Sequence, residues 1–247
     1  MAKIKICSIS DQHGFLPTEG IIKSSDVLTI SGDTFPLDIQ RDVEKCEEWL
    51  ITKFSKWVEG LPVEKVIMIA GNHDFYFEKY HKLPSGMSEK LIYLEDSLYD
   101  YNCITFYGCP WCTGPWGWAF TQGKEVPNVE TKYELIPKCD ILLTHQPPHI
   151  GSIGTSYFEN KYNAEDFSSD RLAHCIYNVN NIVANFCGHV HTGNHIEFIW
   201  PVMGCNTKFY NCSLMDEAYQ WAYPPTYTTY DTEKRTISKE EPSIPNW

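Results

Sequence analysis

No stretch of this 247-residue sequence comes near the roughly 20 consecutive apolar residues that a membrane-spanning helix requires, so a soluble protein without a membrane partner is expected. Basic residues are scarce: 20 Lys and Arg stand against 32 Asp and Glu, a formal charge of -12. A long-range electrostatic grip on nucleic acid or on an anionic membrane needs the opposite balance, and no stable nucleic-acid complex is expected. The amino-terminal residues lack the continuous apolar core and small-residue cleavage site of a signal peptide; Ile4, Ile6 and Ile9 are interleaved with polar residues and read as a first strand. The ten cysteines lack the spacing of a disulfide scaffold and sit in apolar segments such as Ile6-Cys7 and Phe186-Cys187, which points to a reducing, cytoplasmic location. Internal repeats and low-complexity linkers are absent too. Residues 1–247 therefore read as one domain, with a loose terminus expected from about Lys234, where charge and proline accumulate.

What is present is a 43% share of apolar residues, ample for a buried core, arranged in short β-branched runs. Strands are expected over Ile4 to Ile9, Val27 to Ile30, Val66 to Ala70, Ile92 to Leu94, Ile104 to Tyr107, Ile141 to Leu143 and Ile182 to Phe186. Between the second and third runs, Ile39, Val43, Cys46, Leu50, Phe54 and Trp57 recur at helical spacing. This predicts an amphipathic helix from Leu37 to Gly60, with Glu44, Lys45, Glu47, Glu48, Lys53 and Lys56 on its wet face. A second helix is expected from about Phe167 to Val179. Strand, helix, strand order at the front implies a parallel βαβ unit, and the later strands, with less helix between them, a mixed sheet or two packed sheets.

Polar motifs follow the apolar runs directly: Asp11-Gln12-His13, Gly32-Asp33, Gly71-Asn72-His73-Asp74, Thr144-His145 and Gly188-His189-Val190-His191. In α/β proteins, ligand sites form at the carboxyl ends of strands, so these ends could converge on one place. Asp, His and Asn supply oxygen and nitrogen donors suited to Mn, Fe or Zn, and none of the motif residues is a thiol. The glycines before Asp33, Asn72 and His189 suit turns where backbone passes close to a metal centre.

Taken together and in this order, the motifs resemble the signature of the calcineurin-like metallophosphoesterase superfamily, D-x-H, G-D, G-N-H-D/E, H and G-H-x-H, over Asp11 to His191. Gly108-Cys109-Pro110-Trp111 and Leu142 to Pro148 are similar to a compact branch that includes cyclic-nucleotide phosphodiesterases. The resemblance implies an α/β fold, a β-sandwich of mixed sheets flanked by helices (α/β/β/α). It also implies two divalent metal ions, with manganese the first choice. Carried over motif by motif, Asp11, His13 and His191 would hold one ion, Asn72, His145 and His189 the other, and Asp33 would bridge them. His73 would face the substrate as general acid, oriented by Asp74.

Two ions about 3.5 to 4 Å apart can activate a water between them and polarise a phosphoryl group. Their positive charge exceeds what Asp11, Asp33 and one hydroxide remove, so the site stays cationic inside an acidic protein. That favours a small phosphorylated substrate, a nucleotide or cyclic nucleotide diester or a monoester, over a nucleic-acid duplex. A protein serine/threonine phosphatase is the nearest rival, and a catalytically silent scaffold of the same fold the alternative from another class. Outside the motifs, Cys109-Pro110-Trp111-Cys112 has C-x-x-C spacing but no second pair, and reads as structural. Trp111, Trp116, Trp118 and Phe120 suit either a nucleobase stack or a lid over the core. His149, His174 and His195 receive no role, and Tyr219 to Tyr230 reads as an extended segment covering an apolar edge.

Overall fold

A computed structural model describes residues 2–18, 20–157, 164–199 and 206–240. Along the chain run β1 (Lys3–Ile9), β2 (Ser25–Ser31), α1 (Val43–Trp49), a π-helical turn (Leu50–Phe54), α2 (Ser55–Gly60), β3 (Val63–Ile69), α3 (Phe75–Tyr80), β4 (Leu91–Tyr93), β5 (Ser97–Tyr101) and β6 (Ile104–Cys109). A 3-10 segment (Val129–Leu135) leads to β7 (Ile141–Thr144), β8 (Thr155–Tyr157), β9 (Ala164–Asp166), α4 (Asp170–Val179), β10 (Ala184–Cys187), β11 (Phe198–Ile199), β12 (Lys208–Asn211), β13 (Thr226–Asp231) and β14 (Thr236–Lys239).

Two six-stranded sheets, ordered β14-β13-β1-β2-β3-β4 and β11-β12-β10-β7-β6-β5, form the body of the fold. Each is mixed: β1 to β4 are parallel, with β13 antiparallel to β1 and β14 antiparallel to β13 at one edge, and β6, β7, β10 and β12 are parallel with antiparallel β5 and β11 at the two edges. Parallel strands covered on both faces must be apolar on both, which is why their sequences read as continuous runs. Ile4, Ile6, Val27, Ile67 and Ile69 share one buried cluster with Phe106, Ile141, Leu143 and Phe186 of the opposite sheet. Their neighbours Cys7, Ile9, Leu28, Ile30, Val66 and Met68 pack instead with Trp49, Leu50, Phe54 and Val58, while Leu142 packs with Leu172 and Ile176 of α4. Period-two alternation thus sorts one face toward the other sheet and one toward helices, producing the α/β/β/α layers.

The first helix starts later than the spacing suggests. Asp42 caps it, its side chain accepting from the Lys45 amide at 3.2 Å, and Val43 is the first helical residue. Residues 37–42 instead make turns, with Ile39 and Asp42 amides donating to Pro36 and Ile39 carbonyls. The carboxylate cap competes successfully with continuation of the helix toward Leu37. Ser169 caps α4 in the same way through the Leu172 amide, so that helix also begins after its predicted Phe167.

The terminus expected to be loose from Lys234 is tied in as far as Lys239. Thr236–Lys239 pairs with β13, and the Arg235 guanidinium reaches the Asp140 carboxylate, which also accepts from the Tyr230 hydroxyl. Residues 241–247 of that segment lie outside the described residues.

Candidate metal centre

Every motif lies just past the carboxyl end of a parallel strand: Asp11 and His13 after β1, Asp33 after β2, Asn72 to Asp74 after β3, His145 after β7, and His189 and His191 after β10. The first three strands belong to one sheet and the last two to the other. Ser31 joins the sheets there, its hydroxyl donating to the Phe186 carbonyl at 3.0 Å while its own carbonyl accepts from His145 Nδ1 at 2.8 Å. Asp11, His13, Asp33 and His189 all take positive φ angles of 51°, 41°, 55° and 70°. Such backbone is costly for non-glycine residues and recurs at functional sites. Gly71 and Gly188 have no room for a side chain: a Cβ on the first would overlap Asp33 and His145, and on the second Ser10 and Asp11.

The side chains converge in two groups joined by one oxygen. Asp11, His13 and His191 present ligand atoms all within 4.8 Å of one another, with the Nε2 atoms of the two imidazoles 3.2 Å apart and His191 Nε2 3.5 Å from Asp11 Oδ1. On the other side, Asn72 Oδ1 lies 2.9 Å from both His145 Nε2 and His189 Nδ1. Asp33 Oδ2 stands between, 3.3 Å from His145 Nε2 and 3.8 Å from His13 Nε2.

These residues fit divalent ions on their own chemistry. His145 and His191 donate their Nδ1 protons to the Ser31 and Asp216 carbonyls, at 2.8 and 2.9 Å, which turns each Nε2 lone pair toward the centre. Asp11 is held by the Ser213 hydroxyl at 2.7 Å and by the His189 amide at 3.0 Å. Two imidazole nitrogens aimed at each other need a shared proton or a shared cation, and His13 Nδ1 is itself buried without a partner.

Electrostatics divide the histidines. Burial would lower the pKa of His145, but Asp33 and Asp11 outweigh it and push it up to about 9. For His191, burial is likewise outweighed, by the Asp11 hydrogen bond and charge, and the value again rises to about 9. For His13 and His189, burial prevails and lowers both to about 4. Burial opposes ionisation of Asp11 and Asp33 too, yet the imidazoles around them hold both carboxyls below their ordinary range. Without metal, two imidazolium ions would therefore balance two carboxylates.

His73 sits beside this centre, with Nε2 3.8 Å from Asp33 Oδ2 and its ring against Trp118 and His13 at centroid distances of 4.6 and 4.9 Å. Its orienting partner is not Asp74, as the motif implied. The Asp74 carboxylate turns inward and accepts from the backbone amides of Gly71 (2.8 Å), Asp33 (2.8 Å), Thr34 (2.9 Å) and Phe35 (3.3 Å). Four buried donors out-compete one imidazole for it, and Asp74 shapes the loops that carry Asp33 and Asn72. The His73 ring is held instead by Gln40, whose Oε1 lies 2.5 Å from Nδ1.

Gln40 was hidden in a segment read as helix face. Tyr219 was also missed: at φ 56° it sets its ring edge-on to His13 and His191, at 4.8 and 5.3 Å. No motif or periodicity marks either residue. The tryptophan segment divides: Trp111 and Phe120 are buried against each other, Trp116 is 72% exposed, and Trp118 lies on His73 with the Arg41 guanidinium over its own ring and that of Phe75. His195 supports His191, its Nε2 2.9 Å from that residue's carbonyl, whereas His149 pairs with Asp166 and Asp170 away from the centre.

The family model for calcineurin-like phosphoesterases matches residues 5–193. Human metallophosphoesterase domain-containing protein 1 is 28% identical, over 92% of this chain and 71% of its own. A UPF0046 protein of Caenorhabditis elegans is 28% identical over 90% of this chain and 79% of its own. One solved structure superposes with a TM-score of 0.63, covering 97% of this chain and 99% of that chain at 14% identity, a likeness of fold alone.

Proposed function

The chain belongs to the calcineurin-like phosphoesterase family and is a metal-dependent phosphoesterase, and from that premise we propose that it hydrolyses small phosphate esters, foremost nucleotide or cyclic-nucleotide diesters. The observation that carries the reading is the position of Asp33 Oδ2 between two groups of inward-facing ligand atoms. Asp11, His13 and His191 would hold one divalent ion, Asn72, His145 and His189 a second, and Asp33 both. Such a pair, when bound, supplies Lewis acidity to the phosphoryl oxygens and activates the attacking water.

The chain's own residues do the rest. Gln40 Oε1 accepts the His73 Nδ1 proton and leaves Nε2 as the atom that gains and loses a proton beside the centre. As an imidazolium, His73 passes its Nε2 proton to the departing ester oxygen, and the proton shed by the attacking water restores it. Water adds to phosphorus as the P–O ester bond breaks, yielding an alcohol and a phosphate.

The rings of Trp118 and Tyr219 both lie close to His73, at 4.6 and 6.5 Å between ring centroids, and supply aromatic surface suited to stacking with a nucleobase. A net charge of -12 disfavours long polyanions and leaves the local cationic centre to select a small one. The thiols of the described cysteines, all free, suit a reducing compartment. Among the described residues no helix is long and apolar enough to cross a membrane. A panel of mono-, di- and cyclic nucleotides beside bis(p-nitrophenyl) phosphate, assayed with manganese, iron and zinc, tests the reading. Metal-dependent turnover of a nucleotide is expected, and turnover of phosphoproteins alone would overturn it.

A further inference from the structure

The chain after β6, where the C-x-x-C spacing reads as structural in the sequence, also reaches the centre. After β6 the chain turns at Pro110 and places Cys112 with its thiol fully buried. Its Sγ, a His145 ring nitrogen and a His189 ring nitrogen all lie within 4.8 Å of one another. Those two imidazoles also share Asn72 Oδ1, at 2.9 Å from each. The placement is built rather than incidental: the Cys112 amide donates to the Phe120 carbonyl at 2.9 Å, and the next amide, of Thr113, donates to Gln146 Oε1 at 2.8 Å, beside His145. The thiol itself makes only a weak 3.7 Å approach to the Pro110 carbonyl.

Resting on the dinuclear reading above, we propose that Cys112 is a further ligand to the ion held by Asn72, His145 and His189. A sulfur donor strengthens the site's preference for zinc over manganese, because thiolates suit soft and borderline ions and manganese prefers hard oxygen ligands. Binding exchanges the S–H bond for a metal–sulfur bond, and the proton goes to solvent; no oxidation is involved. The manganese preference drawn from the motifs alone considers only their oxygen and nitrogen donors.

The test uses the full chain, stripped of metal by a chelator and reloaded. X-ray absorption of the zinc-loaded wild-type protein should show a sulfur scatterer at about 2.3 Å among the nitrogen and oxygen shells. Cobalt loading should give a near-ultraviolet sulfur-to-cobalt charge-transfer band that saturates with the site. Cys112→Ser should abolish the band, whereas Cys103→Ser, at an exposed thiol, should keep it. Zinc affinity should fall at least about 10-fold in Cys112→Ser, with manganese affinity unchanged. Zinc or cobalt bound with only nitrogen and oxygen neighbours in the wild-type protein would overturn the thiol ligand while leaving the dinuclear reading standing. No uptake of either metal would overturn both. The absorption measurement needs no variant and decides the matter even if Cys112→Ser does not fold.

Discussion

Gln40 Oε1 lies 2.5 Å from His73 Nδ1, although 33 residues separate the two in sequence. A neutral amide oxygen at that position fixes the ring and its proton while leaving Nε2 beside Asp33. Replacing Gln40 by Ala should lower kcat about 10-fold with metal content unchanged, because the ring loses its orientation and not its neighbours. His73→Ala should cost on the order of 100-fold or more. Steady-state kinetics beside metal analysis separate these effects, and equal losses of metal in either variant would contradict the assignment.

Asp74 acts on the backbone. Truncation to Ala would strand the amides of Gly71, Asp33, Thr34 and Phe35 in a buried space, where each unpaired group is costly. The expected loss is about 3 kcal/mol of stability, read as a lower Tm by calorimetry of the metal-free protein. A wild-type Tm in Asp74→Ala together with lost turnover would return Asp74 to the direct role that the motif implied.

Gly71 and Gly188 tie loop geometry to ligand position. Gly71→Ala or Gly188→Ala should weaken metal binding sharply, since the added methyl overlaps Asp33 in one case and Asp11 in the other. Titration calorimetry with manganese checks this, and wild-type affinity in both variants would contradict the close approach.

Metal binding should release protons. In the metal-free protein, His145 and His191 stay protonated up to about 9, and an ion must displace those protons to reach Nε2. Apparent affinity should therefore rise with pH until it passes about 9. Stability of the metal-free chain runs the other way: the contribution of these raised groups is complete below 6.5 and is lost as pH climbs through about 9. The depressed carboxyls of Asp11 and Asp33 contribute above 3.8 and lose that contribution on acidification. Calorimetric titrations in buffers of different ionisation enthalpy count the released protons; a pH-independent affinity would contradict the imidazolium pairs.

The convergence of the candidate ligand residues was legible because each follows an apolar strand, a local pattern that β1, β2, β3, β7 and β10 all carry. The parallel strands other than β12 were legible for the same reason; Lys208–Asn211 is a short run opening on a charged residue and does not stand out. β13, with the sequence Thr-Tyr-Thr-Thr-Tyr-Asp, has too little apolar character to stand out and is held in the sheet by its pairing with β1. Gln40, Tyr219 and Cys112 reach the centre through turns at residues 37–42, 216–220 and 110–113, where direction depends on long-range hydrogen bonds and positive φ angles. The start of α1 was misread because a hydrophobic stripe persists through Ile39, although Asp42 supplies the cap.

Metal stoichiometry in Asp33→Ala tests the shared-carboxylate centre most directly. Plasma mass spectrometry after reloading and desalting should find two ions per chain in the wild-type protein and His73→Ala, and fewer than one in Asp33→Ala, because Asp33 Oδ2 faces both ligand groups. Two ions retained in Asp33→Ala, or only one bound by the wild-type protein, would contradict it.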